Sequence, residues 1–158
     1  MLRKHSMLKS IQSSLFEKKC LVGDLIWVRD IAGGDINQAA LIGDGQTYWF
    51  LKYHPKAPED MFETESRALL ELSSTQSIRV PQPIAHSAEW LVLEYVELKP
   101  GGSEAKLGEH LAALHSRDFG HFGWGQNNYI GMTPQLNTFT ENWSTFWRDQ
   151  RILPQLQM

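Results

Sequence analysis

The sequence predicts an α+β fold, an antiparallel sheet giving way to helices, and three observations carry that prediction. Residues 47–54, TYWFLKYH, alternate with period two and consist almost entirely of residues that favour a pleated, half-buried surface. A GG at 33–34 and the hairpin signal GDGQ at 43–46 divide the preceding residues into two further runs of the same kind. At 61–74, MFETESRALLELSS switches to helical spacing, with Phe62, Glu65, Leu69 and Leu72 on one stripe.

The N-terminal stretch MLRKHSMLKSIQSSLFEKK is basic and serine-rich, with Leu8, Ile11 and Leu15 at helical spacing. A transit peptide has this composition. An amphipathic helix packed on the domain is the preferred reading, because arginine is not enriched and patterned sequence follows directly. LIWVRDIA (25–32), DINQAALI (35–42) and TYWFLKYH then read as three strands in meander order. HPKAPED (54–60) breaks the third strand ahead of the 61–74 helix, on which Glu63 and Arg67 form an exposed i,i+4 pair. Two prolines keep RVPQPIAH extended, and EWLVLEYVEL (89–98) is a buried strand. KPGGS (99–103) is a linker into a helix at 104–116, where Leu107, Leu111 and Leu114 share a face. Aromatic, loop-rich sequence follows, up to a final amphipathic segment with Trp143, Phe146 and Trp147 on one side. The expected division is a small lobe over 1–98 and the start of a helical lobe over 99–158.

Composition narrows the class. A chain of 158 residues with 42% apolar content and six tryptophans is globular rather than disordered. A net charge of −3 offers no basic field for nucleic acid. Cys20 stands alone, so no disulfide framework exists within the chain and no metal-ligand spacing is seen. No stretch is apolar enough for a membrane span, and cytoplasmic placement is expected.

Two charges sit where apolar residues belong. Alternation puts Tyr48, Phe50, Lys52 and His54 on one face of the third strand, and a lone ammonium among aromatics is costly unless an anion meets it. Glu65 is the odd carboxylate on the apolar stripe of the helix. A meander, a helix with such a glutamate, two more strands and a Pro/Gly linker follow the order of a kinase small lobe and hinge. Phosphoryl transfer needs a cation on the nucleotide phosphates and a carboxylate to hold it. Lys52 and Glu65 fit those roles. On these residues alone, a surface lysine and a helix-end glutamate fit equally well.

Specific stretches extend the pattern. GGDINQA, FLKYH, MFETES, IRVPQPIA, LVLEYVEL, LGEHLAALH and FGWGQNNYIGMTPQLN together closely resemble the fructosamine (ketosamine) kinase family, from about Gly33 to the last residue. NNYIGMTPQ followed by ENWSTFW is the most specific part. The resemblance implies an aminoglycoside-phosphotransferase-like, protein-kinase-like fold: a small lobe of five antiparallel strands plus one helix, then the first helices of a truncated large lobe. It implies that Lys52 contacts ATP phosphates with Glu65 as its partner, and that Gly33, Gly34 and Asn37 lie in the nucleotide-covering loop. Glu94, Tyr95 and Val96 would form the hinge that reads the adenine edge through backbone groups. Some relatives carry cysteine where this chain has Asp35, so a redox-sensitive loop is not expected.

The family's catalytic loop, HGDLWxGN in its usual form, and its later metal-binding aspartate are absent. The catalytic aspartate and the Mg2+ ligands are expected after Met158, which makes the chain resemble a truncated gene product or fragment. HSRDFG (115–120) mimics two kinase motifs at once, but those belong on separate segments, and position 123 is glycine where the catalytic loop needs asparagine. Asp118 is therefore read as an ordinary helix-end residue. His110 and His115, five apart, miss the HExxH spacing. Trp124, Asn128 and Tyr129 are candidates for stacking on and hydrogen bonding to a sugar, with lobe packing the favoured alternative. The expected activity is ATP-dependent phosphorylation of fructosamine or ketosamine adducts on glycated amines, without turnover by these residues alone. The alternatives are a non-catalytic nucleotide-binding remnant and a small-molecule kinase of the aminoglycoside or choline type. The apolar C-terminal helix is expected to self-associate, to fold back on the small lobe or to aggregate.

Overall fold

The structure, a computed structural model, describes residues 2–32 and 36–157. Helix α1 (Leu2–Glu17) precedes strands β1 (Ile26–Ile31), β2 (Gln38–Gly43) and β3 (Tyr48–Tyr53). Helix α2 (Met61–Ser74) then crosses to β4 (Pro83–His86) and β5 (Trp90–Glu94). All neighbouring pairs in this five-stranded sheet are antiparallel, in the order β1-β2-β3-β5-β4. The expected meander is β1 to β3, and the α2 crossover places β5 beside β3 with β4 at the far edge.

Alternation along β3 decides which helix meets which face. Trp49, Leu51 and Tyr53 join Ile11 and Leu15 of α1 with Ala40, Ile42, Trp90 and Val92 in one core. Phe50 points the other way, onto Phe62 and Leu69 of α2 with Leu91 and Leu93. Strand β5 contributes to both cores, which is why its sequence reads as an unbroken apolar run rather than an alternating one. Helices therefore cover both faces of the sheet.

Asp44 shapes the β2–β3 turn. Its carboxylate accepts the N–H groups of Thr47 at 2.8 Å, Gln46 at 3.0 Å and Val22 at 2.9 Å. Those backbone donors, Thr47 first, pull its pKa from 3.8 to about 2. Both outer strands are irregular: the register shifts between Trp27 and Arg29 on β1 and between Pro83 and Ala85 on β4.

Several elements differ from the sequence reading. The second strand begins at Gln38 rather than at residue 35, and the ladder of the 89–98 run stops at Glu94. Leu72 is 38% exposed, so the buried stripe of α2 ends at Leu69. Helix α3 (Glu104–His115) forms as expected, with the Ser103 hydroxyl capping the Lys106 N–H at 3.3 Å, but it buries none of its residues. The stretch read as loop contains a short hairpin, β6 (Asn128–Ile130) and β7 (Thr133–Gln135), closed by Gly131 and Met132. Its strands are too short and too polar for alternation to be visible, and Pro134 argues against a strand.

The final segment is composite: α4 (Trp143–Trp147), a π-helical turn (Arg148–Ile152) and α5 (Leu153–Leu156). Phe146 is buried, while Trp143 stacks on Phe146 and Trp147 and meets Phe122, leaving both tryptophans about half exposed. The apolar face is thus partly covered, by the preceding aromatic loop. Among the described residues no helix is long and apolar enough to cross a membrane.

Candidate functional site

The two misplaced charges of the sequence meet. Lys52 Nζ donates to both carboxylate oxygens of Glu65, at 2.6 and 2.8 Å. The pleat of β3 aims Lys52 at α2, and Phe62 and Leu69 bury one side of the helix against the sheet so that Glu65, between them, is carried to the lysine. Both side chains keep more than a quarter of their surface exposed. A pair with that much water contributes about 1 kcal/mol or less. What it provides is orientation: a cation held at a fixed height above the sheet, reachable from solvent.

The pair lines a cleft of about 670 Å³ between the ends of β1 and β2, strand β3, helix α2 and the β6–β7 hairpin. Asn37 lies on its wall, and the Asn37 side-chain oxygen is shielded from solvent with no hydrogen-bond partner among the described residues. Gly33 and Gly34 fall outside the described residues. Asn128, Tyr129 and Gly131 close the cleft from the hairpin side. Gly131 has φ +64°, the left-handed region, and an added Cβ would come within 2.9 Å of Ile36 Cδ1. Glycine therefore serves both the hairpin turn and its close approach to Ile36, just before β2.

The remaining candidates lie elsewhere. Glu94, Tyr95 and Val96 do not line this cleft. The Glu94 N–H donates to the Gln82 carbonyl at 2.8 Å and its carboxylate pairs with Arg79, whereas Tyr95 and Val96 leave the ladder with their N–H groups unpaired among the described residues. Trp124 is also outside the cleft. Its indole N–H donates to Glu71 near the end of α2, and its backbone N–H to Asn137 at 2.9 Å. The Tyr129 hydroxyl donates to Asp60, and that hydrogen bond, followed by burial and the Asp60 charge, holds the phenol above its usual pKa. Asp118 accepts the Gly120 N–H at 2.8 Å in an exposed turn.

Sequence reasoning missed Asn137. It is 3% exposed and holds the hairpin region from below. Its N–H donates to Asn127 at 3.0 Å, its amide to Asn128 at 2.9 Å and to the Gln126 carbonyl at 3.0 Å, and it accepts from Arg151 at 2.6 Å. An asparagine in a loop carries no distinctive signal, because nothing local shows that its partners come from two separate segments, 124–128 and Arg151.

The chain matches the fructosamine kinase family over residues 7–158. It is 37% identical over 137 residues to a protein of Synechocystis named a probable ketoamine kinase, covering 82% of this chain and 46% of that one. A chloroplastic protein-ribulosamine 3-kinase of Oryza sativa subsp. japonica is 32% identical over 139 residues, covering 83% and 41%. A crystal structure from Haemophilus somnus, assigned as a fructosamine-3-kinase, superposes with a TM-score of 0.82 at 26% identity, covering 93% of this chain and 52% of that one. The chain thus spans about half the length of the relatives it matches. Sheet order, the Lys52–Glu65 pair and a match reaching from α1 to the final helix agree, and the chain belongs to the fructosamine kinase family.

Proposed function

We propose that this chain forms the nucleotide-binding side of an ATP-dependent kinase acting on fructosamine or ketosamine adducts. The observation that carries the reading is the Lys52–Glu65 pair at the mouth of the cleft, with the unpartnered Asn37 oxygen on the same wall. Lys52 is the cation that meets nucleotide phosphates, and Glu65 keeps its ammonium in place while leaving one side open to them. The segment around Asn37 covers the phosphates, and Tyr95 and Val96 offer the free backbone groups that an adenine edge needs. Residues 1–98 act as this nucleotide lobe and residues 99–158 as the start of the helical lobe that receives the glycated amine. Trp124, Asn128 and Tyr129 serve packing first, since the Trp124 indole N–H, the Tyr129 hydroxyl and the Asn128 side-chain oxygen are already engaged within the protein.

Magnesium accompanies ATP in this reading. Among the described residues no cluster of three acidic, histidine or cysteine side chains converges to hold it. Nor does the sequence contain the carboxylate motif that orients the sugar hydroxyl and accepts its proton. This chain's share of the chemistry is phosphate binding. The cytoplasm, where ATP is available, is the compartment this function expects, and the covering of Trp143 and Trp147 by a second copy belongs to the same proposal.

Titrating the purified chain with a fluorescent ATP analogue tests it. Lys52→Met should weaken binding at least tenfold, because the substitution keeps a similar side-chain volume and removes the cation that this reading places on the phosphates. Unchanged binding would overturn the phosphate role. Phosphorylation of a fructosamine by these residues alone, measured as one phosphate or more per chain, would overturn the view that the catalytic carboxylate is elsewhere.

A further inference from the structure

The segment that leads from the loop after α3 into β6 runs antiparallel to α2 and is tied to it three times. Trp124 donates to Glu71 near the C-terminal end of the helix. Gln126 accepts from Arg67 at 3.0 Å in the middle. Tyr129 donates to Asp60, the residue just before the first turn. Asp60, Arg67 and Glu71 are spaced by seven and four residues, so at about 100° per residue all three lie within about 20° of one line along the helix. Glu65 lies about 140° around from that line, and Phe62 and Leu69 about 160–180°. The sheet therefore holds one side of α2 and this loop holds the other.

The loop is itself anchored away from α2. Asn137 binds Gln126, Asn127 and Asn128 from beneath and is in turn gripped by Arg151 of the π-helical turn. Gly123, at φ +125°, lets the loop pass close to that anchor: a Cβ there would lie 2.7 Å from the Asn137 carbonyl oxygen, a clash with backbone that cannot move cheaply.

We propose that residues 124–129 are a positioning strap, which presses α2 toward the sheet and so holds Glu65 on Lys52 before a nucleotide arrives. The proposal rests on the reading of Lys52 as the phosphate-binding cation. A helix of this length, attached to the sheet through only one side, is free to roll or swing outward and carry its glutamate away; three tethers on the opposite side remove that freedom. Because Arg151 and Asn137 belong to the chain beyond the hinge, the strap also makes the ion pair answer to the packing of the C-terminal segment. Trp124, Gln126 and Tyr129 act here as positioning residues, working through α2.

The test compares the wild type with Tyr129→Phe combined with Trp124→Phe, substitutions that keep an aromatic side chain at both positions and remove two of the tethers. Amide hydrogen exchange along residues 61–74 should accelerate at least tenfold in the variant. Affinity for the fluorescent ATP analogue should fall about threefold to tenfold. The melting temperature should move by no more than a few degrees, which separates loss of positioning from general destabilisation. Returning Tyr129 in the Trp124→Phe background should restore part of both effects. Unchanged exchange in α2 would overturn the strap. So would unchanged nucleotide affinity where Lys52→Met has weakened binding at least tenfold. If Lys52→Met leaves binding intact, the phosphate role falls, and exchange in α2 alone then decides the strap: acceleration supports it, its absence overturns it.

Discussion

Helices α2 and α3 are close in length and both read as amphipathic, yet one is enclosed and the other bare. Helix α2 buries Met61, Phe62, Thr64 and Ser66 and is held by the sheet on one side and a loop on the other. Helix α3 buries nothing: Leu107 remains 51% and Leu111 37% exposed. Apolar residues three and four apart specify that a helix forms and which side is meant to be covered. They carry no information about what does the covering. For α2 the cover is supplied by strands adjacent in sequence, and for α3 nothing within the described residues supplies it.

The contrast can be broken most directly at Phe62, which is fully buried. Phe62→Ala should cost about 3–5 kcal/mol and lower the midpoint of denaturant unfolding accordingly. The matching change on the bare helix, Leu111→Ala, should cost well under 1 kcal/mol. Equal losses in the two variants would show that α3 has a partner in solution.

A smaller effect is expected where the sheet meets acid. The folded pKa of Asp44 is depressed to about 2 from 3.8. A depressed carboxylate stabilises the fold above its unfolded pKa and loses that contribution as pH falls through the folded value. Stability should therefore decline between about pH 4 and pH 2, and Asp44→Asn should flatten that part of the profile, read by urea midpoints at each pH.

The smallest signal sharpens the comparison at the C-terminus. Trp143 and Trp147 are about half exposed beside the buried Phe146. Trp147→Ser should reduce binding of a hydrophobic dye and any concentration-dependent light scattering, while leaving the melting temperature nearly unchanged. A wild-type chain that is monodisperse and binds no dye would show that the half-exposed aromatics attract nothing.

Much of the sheet lobe was legible because its signals are local. Aromatic alternation in TYWFLKYH assigned both faces of β3 correctly, and the single charge on each apolar surface pointed to the Lys52–Glu65 contact before any geometry was known. The hairpin and the strap were not legible. Three-residue strands are shorter than any period, and the atoms that matter there are amides and hydroxyls whose partners lie from about ten to nearly seventy residues away. Polar loops show their logic only when folded. The segment 94–96, proposed to read an adenine edge, stands between these cases: its residues could be named by resemblance, but the ladder's end at Glu94 depends on where β3 runs out.

The irregular outer strands bear on how copies of this protein meet. A sheet ends in a row of backbone groups that invites another strand, and a long flat edge is a template for fibrils. Here both borders are interrupted, β1 by the shift around Val28 followed by Arg29 and Asp30, and β4 by a proline and a second shift within four residues. Neither border presents an even ladder to a neighbour. Any association of these chains is thereby directed to side-chain surfaces such as the α3 leucines and the C-terminal tryptophans, where contacts are reversible, and away from the backbone pairing that builds amyloid.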